Sequence, residues 1–298
     1  MNNIKYIMMV LAGSCLYGTM SSMVKMLHGK GYTAAEISYW QALIAALLLG
    51  LAALATRCHA VNINKMKKKD LWPLLLTGSA IGLVNYLYYL SVSYIPASIA
   101  VIILMQFTWF SLLLEWLIFG RKPSRIEFAT MATILTGTLL AGGLLETDLC
   151  SMSAKGLLTA TGAAMAYAVY VVANGRIGKG VRWQSKSATI MLGSSLTILA
   201  INGSAAIGLD NFSTEFASWA MMLAIAGTTI PTALFAMGIY KIGACTSSVL
   251  MTAELPVAII SAHLILGEKT SNTQIAGIII MIGAISAMNY YRTNKHRI

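Results

Sequence analysis

Glu254 stands about ten residues into an apolar stretch and two residues before Pro256. A bilayer makes such a carboxylate expensive, and an ionisable group at membrane depth is a functional candidate by default. The proline removes a helix hydrogen bond and is expected to leave the carbonyl near Thr252 facing the same region. Three roles fit Glu254. It can pair with a cationic substrate, titrate as a proton-coupling group, or lock to a neighbouring helix by accepting from a Ser, Thr or Tyr hydroxyl. Other apolar stretches carry neutral polar and aromatic groups. Tyr17 and Ser21 lie one turn apart, and Asn85, Tyr88 and Tyr89 fall at i, i+3 and i+4 on one helical face. Gln106, Thr108 and Trp109 follow, then Tyr167 and Tyr170, then Thr228, Thr229 and Thr232 around Pro231. Aromatic rings with one carboxylate suit an organic cation or a zwitterion with an apolar side group. As a cluster these residues read as a cavity lining, with helix packing the plain alternative for each tyrosine. Pro231 and Pro256 are the expected helix breaks or gates.

Other chemistries lack their residues. No H-E-x-x-H, G-x-S-x-G or Walker A pattern occurs, and the four histidines are scattered. Cys15, Cys58, Cys150 and Cys245 show no metal-ligand spacing, so neither metal nor other cofactor is expected. An intramembrane enzyme, one alternative reading, therefore has no visible nucleophile–base pair. A sensor or assembly subunit, the other, needs an extramembrane domain, and the longest connection spans only 57–70.

The elements that must position these groups follow from composition. The 298 residues are 57% hydrophobic and 10% charged, with a mean hydropathy of +0.73. Soluble domains carry roughly 25% charged residues, so soluble globular, disordered, fibrous and disulfide-scaffold classes are excluded. The expected fold is all-α and integral to the membrane. Ten stretches approach the ~20 residues a spanning helix needs: 6–26, 34–56, 71–91, 97–120, 127–145, 155–174, 188–208, 217–240, 245–266 and 273–291. The first reads as a span, since it continues to Met26 without an A-x-A cleavage site.

Basic residues divide 17 against 4 between the two sides of this layout, which places both termini in the cytoplasm of an inner or plasma membrane. The net charge of +11 is thus a topology signal, and no nucleic-acid partner is expected. The run 65–69 reads as a cytoplasmic anchor, with anionic headgroups the alternative contact. Glu36 opens the second span, where a carboxylate favours a helix N-terminus. Glu115 is read as snorkelling to the headgroups or pairing with Arg121, and Lys25 as snorkelling. His263 reads as interfacial. Tyr94, Trp72, Trp116 and Tyr290 read as an interfacial belt.

Shifted by 149 residues, 11–30 falls on 160–179, with Gly13 on Gly162, Gly29 on Gly178 and Lys30 on Lys179. A shift of 147 brings Gly120 onto Gly267. The matching order implies a duplication into 1–150 and 151–298. Five spans per half is odd, so the second unit is inverted, the recurrent build of secondary transporters.

Glu254-Leu255-Pro256, then Leu266-Gly267-Glu268, Gln274-Ile275-Ala276-Gly277 and a final span containing Gly283 resemble the EamA-type drug/metabolite transporters. Tyr17-Gly18 and Lys25 match the same family's first helix. The resemblance implies ten spans, cytoplasmic termini and a central cavity lined by spans 1, 3, 4, 6, 8 and 9. It implies a cargo among amino acids, amines, nucleotide precursors, sugars and drugs. Two departures stand out. Gln41 replaces the family's usual span-2 arginine, which argues against phosphorylated substrates, and Gln106-Phe107-Thr108 lacks the usual span-4 proline. The expected function is secondary transport of an amino acid or amine, coupled to protons or working by exchange. The expected partners are the small-molecule substrate, the lipid bilayer and protons, with a monomer favoured over a homodimer.

Overall fold

The computed structural model describes residues 2–57, 68–122, 124–142, 152–208, 213–267 and 271–295. Cys58, His59, Cys150, Glu268, His296 and most of the run 65–69 lie outside the described residues, as does the side chain of Tyr290. Among the described residues all regular structure is helical. The order is α1 (Asn2–Gly29), α2 (Ala34–Arg57), α3 (Lys68–Val92), α4 (Ala97–Leu104), α5 (Phe107–Phe119) and α6 (Arg125–Ala141). Then come α7 (Ala154–Arg176), α8 (Trp183–Asn202), α9 (Thr214–Met222), a π-helical segment Leu223–Thr229, α10 (Ile230–Ile242), α11 (Ala244–Met251), α12 (Glu254–Leu266) and α13 (Asn272–Lys295).

Among the described residues thirteen α-helices make ten spans, because three spans are broken. Span 4 is α4 with α5, span 8 is α9 and α10 joined by the π segment, and span 9 is α11 with α12. Eight of the spans are long and apolar enough to cross a bilayer. The 17-residue α6 and the apolar part of α13, Asn272–Ala287, supply the other two. Large apolar side chains such as Trp72, Leu117 and Leu264 point outward, the surface of a protein solvated by hydrocarbon. Trp116 and Tyr94 are exposed with them.

The helix contacts pair off between the halves. Span 3 packs on spans 6 and 7, and its counterpart, span 8, packs on spans 1 and 2. Span 1 packs on span 9, and span 6 on span 4. Spans 2 and 7, 4 and 9, and 5 and 10 each pack on their own counterparts. Exchanging the halves leaves this pattern unchanged, as a two-fold relation between them requires. The breaks obey it too. Eight residues of α4, a two-residue turn and 13 residues of α5 repeat as eight, two and 13 in span 9. Both spans end on a left-handed glycine, Gly120 at φ 66° and Gly267 at φ 69°.

The break in span 4 has no proline behind it. Gln106 sits in the turn, and its Nε2 donates back to the Ile102 carbonyl at 3.3 Å, satisfying a group that the interrupted helix leaves open. Glycines allow the closest crossings. A Cβ on Gly78 would run into the Ile190 carbonyl, and one on Gly193 into that of Leu75, so the backbones of spans 3 and 7 touch.

Glu36 accepts from the Thr33 amide at 2.8 Å and returns its own amide to the Thr33 hydroxyl, a reciprocal N-terminal cap on α2. Glu115 is buried and does not snorkel. It pairs with Arg121 at 3.2 Å and with Arg176 of α7 at 3.1 Å, while Arg121 also reaches Glu127 at 3.4 Å. The Arg176 contact joins span 4 to span 6, a link invisible in sequence. Lys30 and Glu215 form an ion pair at the far ends of spans 1 and 8. Lys186, assigned by hydropathy to a loop, instead lies in the first turn of α8, buried, with Nζ donating to the Asn174 carbonyl at 2.6 Å. That carbonyl belongs to the last turn of α7, which has no intrahelical donors left, and the ammonium supplies one.

Candidate substrate site

Glu254 is the first residue of α12, just past the turn at Thr252 and Ala253. Pro256 lacks the amide that an unbroken helix would present to the Thr252 carbonyl. That carbonyl is nevertheless occupied, accepting from Leu255 N at 3.1 Å, so it does not face the site as an open acceptor. The break instead gives the carboxylate the N-terminal end of a helix, where backbone dipoles favour negative charge. Glu254 is buried, and its Oε2 accepts from the Tyr167 hydroxyl at 3.3 Å. No basic side chain pairs with it among the described residues.

A cavity opens onto this carboxylate. Spans 1, 3, 4, 6 and 9 supply its walls. Tyr17, Ser21, Asn85, Tyr88, Tyr89, Tyr167 and Glu254, all singled out from the sequence, line it. Small and apolar positions that carried no sequence signal complete it: Gly18, Met20, Val84, Val101, Leu104 and Ala258. Gly18 lets spans 1 and 9 meet here, since a Cβ on it would strike the Glu254 carbonyl and come within 2.8 Å of Val257 Cβ.

The remaining expected residues lie off the wall. Tyr170 stacks behind Tyr167, ring centroids 6.2 Å apart, and accepts from Asn174 Nδ2 at 3.2 Å. Trp109 sets its edge against Phe128 at 5.6 Å, between spans 4 and 5. Gln106 serves the helix break. Span 8 gives the cavity no lining residue. The π segment winds wider than an α-helix and re-aims its side chains. Thr228 therefore meets Gln41, while the hydroxyl of the half-buried Thr229 is shielded and without a hydrogen-bond partner. Pro231 is the second residue of α10, in the first turn after that segment.

Gln41 is fully buried and holds the site from behind. Its Oε1 accepts from the Tyr89 hydroxyl at 3.0 Å, and its Nε2 donates to Thr228 Oγ1. One amide thus ties spans 2, 3 and 8 together. Gln41→Leu should lower the stability of the purified protein by about 1–3 kcal/mol, because Tyr89 is left with a buried, unpaired hydroxyl. A circular-dichroism melt in detergent checks this, and an unchanged midpoint would contradict the structural role.

The aromatic groups are fixed by stacking. Tyr17 lies on Phe235 at 5.6 Å with the planes 17° apart, and Tyr167 lies against Phe107 at 4.3 Å. Phe107 opens α5 as Glu254 opens α12. The two-fold-related positions therefore differ in charge, and the second half alone places a carboxylate at its break.

The EamA-like transporter family model matches twice, over residues 4–143 and again over 154–290. The chain belongs to this family. Among curated relatives of this EamA-like protein, the threonine/homoserine exporter RhtA of Salmonella typhimurium (strain LT2) is 27% identical over 225 residues, covering 74% of this chain and 72% of its own. RhtA of Escherichia coli (strain K12) is 27% identical over 228 residues, covering 75% and 71%. An uncharacterized transporter, sll1319, of Synechocystis sp. is 26% identical over 255 residues, covering 78% and 72%. A solved crystal structure matches with a TM-score of 0.75 over 96% of each chain at 14% identity, a likeness of fold alone. This EamA-like chain is a multi-pass membrane transporter of metabolites.

Proposed function

We propose that the protein is a secondary transporter that moves a small amino acid or amine by alternating access between units 1–150 and 151–298. One observation carries this reading: a buried carboxylate, paired with no cation among the described residues, facing a cavity lined by four tyrosines in an EamA-like fold. The charge suits an ammonium group, and the tyrosine-rich walls suit a small organic metabolite. The amino-acid cargo in the names of its relatives supports the same class. The two-fold contact pattern supplies two nearly equivalent arrangements for the halves to exchange. The basic bias of 17 against 4 puts both termini in the cytoplasm, and a monomer contains the whole cavity. Proton coupling or substrate exchange would supply the drive.

Counterflow in proteoliposomes tests the reading. Vesicles preloaded with unlabelled L-threonine, L-homoserine or a small primary amine should accumulate the same labelled compound transiently and saturably. No counterflow with any amino acid or amine, from protein that still melts cooperatively, would overturn it.

A further inference from the structure

The four tyrosines of the cavity divide into two kinds. Tyr89 gives its hydroxyl proton to Gln41, and Tyr167 gives its own to Glu254. These two are spent within the protein. The hydroxyls of Tyr17 and Tyr88 are buried and have no hydrogen-bond partner. The Thr232 hydroxyl lies near Tyr17 but forms no bond of acceptable geometry with it. The Nδ2 of Asn85, one turn before Tyr88 on the same face of α3, is likewise buried and unpaired. Each such group costs about 1–3 kcal/mol if nothing meets it. Three in one cavity, from two spans that also line up with Glu254, form an arrangement that pays only when a ligand is bound.

We propose that the Tyr17 and Tyr88 hydroxyls and the Asn85 amide are the ligands for the carboxylate of a zwitterionic amino acid whose ammonium rests on Glu254. The assignment rests on the transporter reading above and narrows its cargo from amino acid or amine to amino acid. Among the described residues no Lys or Arg lines the cavity, so a carboxylate entering it is to be held by neutral donors. All three unpaired groups can donate, and none needs to lose a bond to do so. A simple amine would satisfy Glu254 and leave all three unpaired. A dicarboxylate or phosphate would bring a second negative charge against Glu254 without a cation to offset it.

The hydroxyls' lack of protein partners gives the assignment a signature that a packing role lacks. Tyr17→Phe and Tyr88→Phe keep the ring, including the stack of Tyr17 on Phe235, and delete only the oxygen. Binding of L-threonine and of its decarboxylated counterpart, 1-aminopropan-2-ol, is to be measured by calorimetry on the purified full chain, alongside melting of the ligand-free protein. Each variant should weaken threonine about tenfold or more, as expected for a hydrogen bond to a charged group. It should weaken the amine by less than about twofold, and the unliganded melting point should hold or rise. Should Tyr17→Phe fail to fold, Tyr88→Phe, with Asn85→Leu, carries the test. Equal losses for both ligands, or threonine binding unchanged in both Phe variants, would overturn the assignment. Wild-type protein that binds the amine but not threonine overturns it too, while leaving amine transport intact. Wild-type protein that binds neither, nor any other amino acid or amine, overturns the transporter reading and this assignment with it.

Discussion

Glu254→Gln should abolish amino-acid or amine counterflow while the purified protein still melts cooperatively near the wild-type temperature. The substitution keeps the shape of the side chain and an oxygen that can accept from Tyr167, so the internal hydrogen bond of 3.3 Å survives. What is lost is the charge proposed to pair with the substrate's ammonium group. A hydrogen bond to a charged group is worth up to ~3 kcal/mol, a loss of roughly a hundredfold in affinity. The amide also cannot take up or release a proton, so any pH dependence of transport carried by this carboxylate should flatten in the same variant. Flux that survives the substitution with its pH profile unchanged would remove Glu254 from both substrate binding and coupling. A collapse of the melt would instead support the third role, a structural lock between spans 6 and 9.

Gly18→Val is expected to damage folding and transport together. A Cβ at this position meets the Glu254 carbonyl and Ala258 N, backbone atoms that cannot rotate away, and also Val257 Cβ. Spans 1 and 9 would have to separate. Overpacking a tight core typically costs 1–3 kcal/mol, and backbone opposition puts this site at the upper end or beyond. The displacement falls beside Glu254 and one residue from Tyr17, so any protein that does fold should bind threonine or amine poorly. Yield of monodisperse protein and its melting temperature check the first effect, and counterflow the second. Wild-type behaviour in both would mean that the two spans are not in contact as described.

The candidate site groups were legible because a membrane makes polar side chains conspicuous. In a chain with ten acids, a carboxylate between apolar residues and next to Pro256 needs no alignment to be noticed. The i, i+3, i+4 spacing put Asn85, Tyr88 and Tyr89 on one face, and the structure places all three on the wall. Gln41 was visible only as a missing arginine; that its amide holds Tyr89 and Thr228 depends on where spans 3 and 8 come to rest. The same holds for Arg176, whose partner Glu115 is 61 residues away. Sequence also led to Gln106, Trp109, Tyr170 and Thr229 as candidates by type, but type says nothing of rotation about a helix axis. The unmarked break at Gln106 and the π segment reset that rotation in spans 4 and 8.

Composition, hydropathy and the internal repeat were thus sufficient for the solvent, the all-helical class and the approximate number of crossings, because the bilayer penalises exceptions to those rules individually. Which hydroxyls are spent inside the protein and which are left for a ligand was decided by the tertiary structure alone. A hydrogen bond requires two groups within about 3.5 Å and aligned, and residues as far apart as Tyr167 and Glu254 meet that condition only after spans 6 and 9 have taken their places in the fold.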